Sequence, residues 1–185
     1  MDELKSAWEI AQERVNRLGE LSAEEREQQE RQGSRQIGHA LAQIWLDSSR
    51  KLDIAAELNK HQGKARETIK RAAIERLVEP IELSTTRINS VKKVIEAISS
   101  LEHELQPKTE EIDQLIQEYV GMEQKIRQEL ESNCEETLHQ LRISGTAVGA
   151  INIETDHKWQ LARQRLIEDF TPRLNALKQA LIDQR

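Results

Sequence analysis

The amino-acid sequence predicts an all-α fold, and three observations support this prediction. Apolar residues recur every three or four positions over long stretches, which is the pattern of amphipathic helices. Only 3 of the 185 residues are proline and 7 are glycine, and the alternating β-branched pattern of strands is nearly absent. Aromatic residues make up 3% of the chain, so aliphatic side chains must build a long, thin core between helices.

A proline also divides the chain. Pro80 ends a helical pattern, because proline lacks a backbone donor and restricts the residue before it. We therefore predict a small N-terminal helical region at 1–83. The second part, 84–185, is predicted to be an elongated antiparallel helical hairpin or a three-helix, coiled-coil-like bundle, with a loop at 143–154.

The N-terminal region begins with a heptad-like apolar pattern at 4–18. Ser22 and Glu25 then form a capping-box pattern that opens a helix. Since 23–36 contains no large apolar residue, this part of the helix must be exposed to solvent. A buried face returns further on, at Ile37, Leu41, Ile44 and Trp45.

Residues 52–78 form two shorter helical patterns separated by a turn, which is also the pattern of a helix-turn-helix. Residues 60–76 include six basic and two acidic residues, a net charge of +4. An alternative interpretation is therefore a nucleic-acid interface on the second helix, with Lys64, Arg66, Lys70 and Arg71 as its candidate residues. Against it, the turn is longer than the usual three or four residues.

The predicted hairpin rests on apolar stripes at 88–105, 112–141 and 159–181. Spacings of four dominate the last two stripes, so both drift from a strict heptad in the same direction. This shared drift favours pairing of the two long helices with each other.

Four residues add detail to the hairpin. Pro107 is expected in the first turn of the second helix, where proline is tolerated. Pro172 predicts a kink in the third helix. Met122 is assigned to the buried stripe, and Gly121 beside it is expected to allow a close helix crossing.

Charge and cysteine content restrict the function. The net charge is −6, and 102–136 alone has 11 acidic and 3 basic residues, or −8, which repels nucleic acid and anionic membranes. The one cysteine, Cys134, lies on an apolar stripe and is interpreted as a small buried hydrophobic residue. Without a signal peptide or a membrane-spanning stretch, the protein is expected to be soluble and cytoplasmic.

Two Glu-x-x-His pairs are the weak candidates for metal ligands: Glu136 with His139, and Glu154 with His157. This spacing places both side chains on one helical face, as in carboxylate di-metal sites. Such a site also needs further glutamates from other helices, so we predict no metal centre. No catalytic or cofactor signature is present, and neither an enzyme activity nor a cofactor is expected.

The loop at 143–154 has two interpretations. It is either a simple connection or an apolar contact tip for a protein partner. The candidate contact residues are Gly145, Ala147, Val148, Gly149 and Ile151.

The stretch Leu4-Lys5-Ser6-Ala7-Trp8-Glu9-Ile10-Ala11-Gln12-Glu13-Arg14, with the polar helix and Ile37-Gly38 after it, resembles the start of a family of small bacterial helical proteins of unknown function. The resemblance extends over about 1–83. It implies a bacterial, cytoplasmic protein and supplies no site residues.

Together these patterns predict a non-enzymatic helical scaffold or adaptor that acts through protein contacts. Self-association as a homodimer or higher oligomer is expected, through stripes at 4–18 and 88–105. The alternative is nucleic-acid binding through 52–78, and a metal-dependent enzyme is the least favoured of the three.

Overall fold

The computed structural model describes residues 23–47, 53–143 and 151–183. In these residues the regular elements are a 3₁₀ turn at His103–Leu105 and six α-helices: α1 Ala23–Asp47, α2 Ile54–Leu58, α3 Gly63–Val78, α4 Ile88–Leu101, α5 Gln106–Gln140 and α6 His157–Ile182. The predicted all-α fold is confirmed. The stripe at 4–18, Ser22 and the loop residues 144–150 lie outside the described residues.

Helix α1 has two halves of different character. Residues 24–32 are exposed, as expected for a segment without large apolar side chains. In the second half Ala42 is fully buried, and Leu41, Trp45 and Leu46 pack against the core with part of their surface. Ile37 and Ile44 were also expected on the buried face but are exposed. The helix therefore extends from solvent onto the core.

Helices α1 and α3 run parallel, with α2 between them in the chain. Contacts advance together along both helices, from Glu27 with Lys64 to Gln43 with Arg76. The N-terminus of α2 is capped by Asp53, whose carboxylate accepts a hydrogen bond of 3.0 Å from a backbone N–H.

Gly38 lies where α1 and α3 approach most closely. A Cβ atom at this position would collide with the carbonyl oxygen of Ile69 and lie 2.8 Å from the Cβ of Ala72. By contrast, nothing lies within 4 Å of a Cβ atom at Gly121. The expectation of a close crossing at Gly121 is therefore wrong, and Gly38 is the glycine that allows one.

Helix α3 is the central helix of the described structure, because it contacts α1, α2, α4 and α6. It ends at Val78, two residues before Pro80, as predicted. Its buried residues are Ile69, Ala72, Ala73, Ile74, Leu77 and Val78.

Helix α4 buries its apolar face inside the chain, against α2, α3 and α5. The buried residues are Val91, Val94, Ala97, Ile98 and Leu101. The stripe at 88–105 was expected to be exposed and to support self-association. It is instead covered, because the neighbouring helices of the same chain pack on it.

Helices α5 and α6 run antiparallel. Three hydrogen-bonded pairs show this order: Lys108 with Ala180, Glu118 with Arg173, and Glu123 with Arg163. Pro107 lies in the first turn of α5, as predicted, and α6 continues through Pro172.

One hydrophobic cluster joins residues from all six helices, and so includes residues on both sides of 83/84. The division of the chain into 1–83 and 84–185 remains a prediction. No helix in the described ranges is both long and apolar enough to span a membrane.

Candidate functional site

A polar cluster, here called the polar seam, lies between α5 and the start of α6. It consists of Tyr119, Glu123 and Arg127 on α5, Glu154 before α6, and Trp159 and Arg163 on α6. The three residues of α5 are four apart, as are the two of α6, so each set shares one helical face. The antiparallel pairing brings these two faces together.

Glu123 is the buried charge of the polar seam, with 5% of its surface exposed. Arg163 donates from Nε to its Oε1 at 3.0 Å, and the Tyr119 hydroxyl lies 3.5 Å from the same oxygen. The Oε2 atom is buried and has no hydrogen-bond partner. A buried, unsatisfied carboxylate oxygen destabilises the fold unless the ion pair compensates for it.

The contact between Glu123 and Arg163 is accompanied by pKa shifts at Tyr119 and Arg163. Burial raises the pKa of Tyr119, and the charge of Glu123 adds to the rise. Burial acts to lower the pKa of Arg163, but the hydrogen bond and charge of Glu123 outweigh it, so this pKa is raised. Arg163 is thus the charged partner of Glu123.

The second half of the polar seam surrounds Trp159, whose ring is buried. The guanidinium of Arg127 lies over the ring, 4.8 Å from its centroid. Arg127 also donates to Glu154, which accepts a further hydrogen bond of 3.2 Å from Trp159 Nε1. The bond from Arg127 and then that from Trp159 lower the pKa of Glu154. These contacts fasten the start of α6 to α5.

The polar seam corrects one assignment of the sequence analysis. Met122, which was assigned to the buried stripe, is exposed, whereas Glu123 is buried. Periodicity alone favours the apolar residue at this turn. The structure selects Glu123 because Arg163 of α6 is positioned to pair with it. The four-residue spacing of Tyr119, Glu123 and Arg127 was the signal available in the sequence.

A groove of about 440 Å³ lies beside the polar seam, along one face of α6. The described residues that line it are Glu154, Trp159, Gln160, Arg163, Gln164, Ile167 and Glu168. Its charged groups already have partners, since Arg163 binds Glu123 and Glu168 accepts from Gln164 at 2.8 Å. This mutual pairing makes the groove a poor site for a charged ligand.

The end of α5 forms a second surface, here called the α5 arm (128–143). Arg127 contacts Trp159 in the first turn of α6, so the helix after Arg127 extends past the start of α6. At ~1.5 Å per residue, 128–140 spans about 20 Å. The arm is therefore the part of the hairpin that α6 does not accompany.

The α5 arm ends in a Schellman motif. The N–H of Ile143 donates to the carbonyl of Leu138, and that of Arg142 to the carbonyl of His139, both at 3.0 Å. Arg142 adopts the left-handed conformation, with φ of 56°. This turn leaves Leu141 and Ile143 exposed, at 64% and 47%.

The predicted contact tip is described only in part. Gly145, Ala147, Val148 and Gly149 lie outside the described residues, and Ile151 is half-buried. Leu141 was expected on a buried stripe, and Ile143 was not among the candidate contact residues. The apolar stripe of α5 continues to Leu141, but α6 does not extend alongside this end of α5. Apolar periodicity within one helix does not show whether a second helix covers it.

The candidate nucleic-acid residues all have acidic partners within the chain. Lys64 pairs with Glu27, Arg66 and Lys70 with Glu67, and Arg71 with Glu75. The side chain of Lys70 is largely buried and also pairs with Glu102. Helix α3 packs on four other helices, and Lys64 and Arg71 remain exposed on it.

The two Glu-x-x-His pairs are not brought together. Glu154 contacts Arg127, whereas Glu136 lies nine residues further along α5, about 13 Å at ~1.5 Å per residue. Glu136 accepts from Gln140 at 3.3 Å, while His139 and His157 are exposed. Within 23–47, 53–143 and 151–183, no three His, Cys, Asp or Glu residues are grouped to hold a metal ion.

No family model, curated protein or solved structure matches this chain. The resemblance of about 1–83 to a bacterial helical family therefore remains a prediction.

Proposed function

We propose that this protein is a non-enzymatic helical adaptor that binds a protein partner through the end of the α5 arm. The observation that carries the proposal is the exposure of Leu141 and Ile143 at the end of α5, which extends beyond the first turn of α6. Neighbouring exposed apolar residues at the end of a rigid helix are typical of a contact surface. The polar seam supports this role, because it fastens α6 to α5 below the arm.

The test is affinity purification with cross-linking from the native cell, using the full chain. We expect one or more partners to be enriched on the unchanged protein and lost on a Leu141→Ser/Ile143→Ser variant. The matched control is Met122→Ser/Leu161→Ser, since both residues are exposed apolar side chains of the same hairpin, on α5 and α6, away from the end of the arm. If the Leu141→Ser/Ile143→Ser variant and the control variant recover the same amount of partner protein, the proposal is contradicted.

Self-association is the second part of the proposal. With the apolar face of α4 covered, the candidate surface in the described residues is the stripe on α1 that contains Ile37 and Ile44. These residues are 43% and 54% exposed and lie seven positions apart, which places them on one face.

A cytoplasmic location, expected from the sequence, belongs to the same proposal and is tested by cell fractionation.

Nucleic-acid binding is the weaker alternative, because the cations of α3 are already paired. Salt-dependent retention on immobilised DNA, lost on Lys64→Glu/Arg71→Glu, would favour it over the adaptor proposal. Both residues are exposed, so the substitutions avoid the core contacts of Lys70.

A further inference from the structure

We infer that the partner segment bound by the α5 arm is an amphipathic helix with an apolar stripe flanked by Lys or Arg. This inference rests on the proposed function and adds the chemistry of the partner to it. Two observations on α5 carry it: the charge of the arm and the way α6 covers the rest of the helix.

The charge of the α5 arm is one-sided. Residues 128–143 contain Glu129, Glu131, Glu135 and Glu136 but only one basic residue, Arg142. Within the described chain, Glu129 and Glu135 have no ion-pair partner, and Glu131 reaches only Arg127 of its own helix, at 3.8 Å. A partner with positive charge beside the arm would pair with these acids, whereas an acidic partner would be repelled by them.

Helix α6 shows what covers the preceding turns of α5. It presents the apolar residues Leu166, Phe170 and Leu174 to the α5 core, with Arg163 and Arg173 paired to Glu123 and Glu118. The apolar pattern of α5 then continues through the half-buried Leu130, Cys134 and Leu138 to the exposed Leu141. These positions follow Arg127, which contacts the first turn of α6, so they lie beyond the start of α6. The α5 arm has the same apolar stripe with flanking glutamates as the part of α5 that α6 covers. We therefore expect its partner to resemble α6, as an apolar helix flanked by arginine or lysine.

The experiment measures peptide binding to the full chain by fluorescence anisotropy. The probe is a labelled amphipathic helical peptide with a Leu stripe and Lys on the flanking positions; a second peptide keeps the Leu stripe and carries Glu instead. We expect the Lys peptide to bind at least ~10-fold more tightly than the Glu peptide, with an affinity that falls as salt is raised.

Two double variants and one control locate the site. Leu141→Ser/Ile143→Ser and Glu129→Lys/Glu135→Lys should each weaken the Lys peptide by ~10-fold or more. Glu96→Lys/Glu111→Lys makes the same change in net charge at exposed positions away from the arm, and should alter binding by less than ~2-fold. Unchanged melting curves by circular dichroism establish that each variant is folded.

The outcomes separate the inference from the proposed function. If both peptides bind equally and only the Ser variant weakens them, the arm is a contact site but its partner is not basic, and the inference is overturned. The inference is also overturned if Glu96→Lys/Glu111→Lys weakens binding of the Lys peptide as much as Glu129→Lys/Glu135→Lys does. If the Ser variant changes neither peptide binding nor partner recovery from cells, the proposed function itself fails. Loss of self-association in the Ser variant would identify a second copy as the occupant and overturn the inference.

Discussion

The Glu123 carboxylate is buried in the contact between α5 and α6, where a charge is stable only with a partner. Its partner Arg163 keeps 47% of its side chain exposed, whereas that of Glu123 is 6% exposed. The two residues therefore respond differently to loss of the other. Arg163 has access to water, but Glu123 does not.

This asymmetry predicts the effect of breaking the pair from each side. Arg163→Met should lower the free energy of unfolding by about 2–4 kcal/mol, because it leaves a buried charge unpaired. Glu123→Met should cost less than about 1 kcal/mol, since the freed Arg163 hydrates. The double variant should resemble Glu123→Met. Urea denaturation measures all three, and a larger loss for Glu123→Met than for Arg163→Met would contradict the prediction.

Two glycines of α1 offer a matched comparison at the same scale. Gly33→Ala should stabilise the protein by about 0.5–1 kcal/mol, because nothing lies within 4 Å of the new methyl group and alanine favours the helix. Gly38→Ala should destabilise it by about 1–3 kcal/mol, because the methyl group collides with the α3 backbone. Thermal unfolding followed by circular dichroism checks both, and stabilisation by both alanines would refute the close approach.

At the scale of the element, the pairing of α5 with α6 combines an apolar contact with charged cross-contacts. Tyr119 and Phe170 meet edge to face, with ring centroids 5.7 Å apart. Arg173 pairs with Glu118, and Arg127 with Glu154. The apolar stripes bring the helices together, and the charged pairs specify which turns face each other.

These pairs predict how the hairpin responds to acid. The hydrogen bond from Arg173 lowers the pKa of Glu118, and those from Arg127 and then Trp159 lower the pKa of Glu154, below the ordinary value of 4.5. A carboxylate with a lowered folded-state pKa stabilises the fold above its unfolded-state pKa and loses that contribution as pH falls through the folded-state value. The free energy of unfolding should therefore decrease as pH falls below 4.5.

The measurement is the denaturation midpoint at a series of pH values from neutral to below this range. Glu118→Gln/Glu154→Gln should be less stable than the unchanged protein at neutral pH and lose less stability on acidification. Glu96→Gln/Glu111→Gln is the control, because these exposed residues make no ion pair in the described structure. An unchanged pH dependence in the first variant would rule out this role for the pairs.

At the scale of the whole molecule, the described helices share one hydrophobic cluster, with α3 at its centre. Within the described residues, the exposed large apolar side chains lie on α1, at the end of α5 and at single positions on α5 and α6.

The α1 stripe predicts the behaviour in solution. Light scattering after size exclusion should give a mass above the 21.4 kDa of one chain. Ile37→Glu/Ile44→Glu should shift it towards the monomer, because glutamates at an apolar contact are desolvated without partners. Met122→Glu/Leu161→Glu is the control and should leave the mass unchanged. A monodisperse monomer of the unchanged protein at micromolar concentration would argue against self-association.

The sequence by itself determined the features that depend on local periodicity and backbone chemistry. The all-α class, the exposed start of α1, the end of α3 before Pro80 and the place of Pro107 in the first turn of α5 were all predictable. Each depends on side chains within one or two helical turns. Of the proposed site, the sequence indicated the end of the hairpin but not its exposed residues.

Only the tertiary structure decided which side of each stripe is covered. In one turn of α5 the buried position is Glu123 and not Met122. Adjacent residues of a 3.6-residue helix point about 100° apart, and Arg163 lies across the hairpin where it pairs with Glu123. The apolar face of α4 is covered, because α2, α3 and α5 pack on it. At the end of the α5 arm, beyond the first turn of α6, Leu141 and Ile143 are exposed. Periodicity shows that a face is apolar, whereas burial depends on whether another helix lies there to meet it.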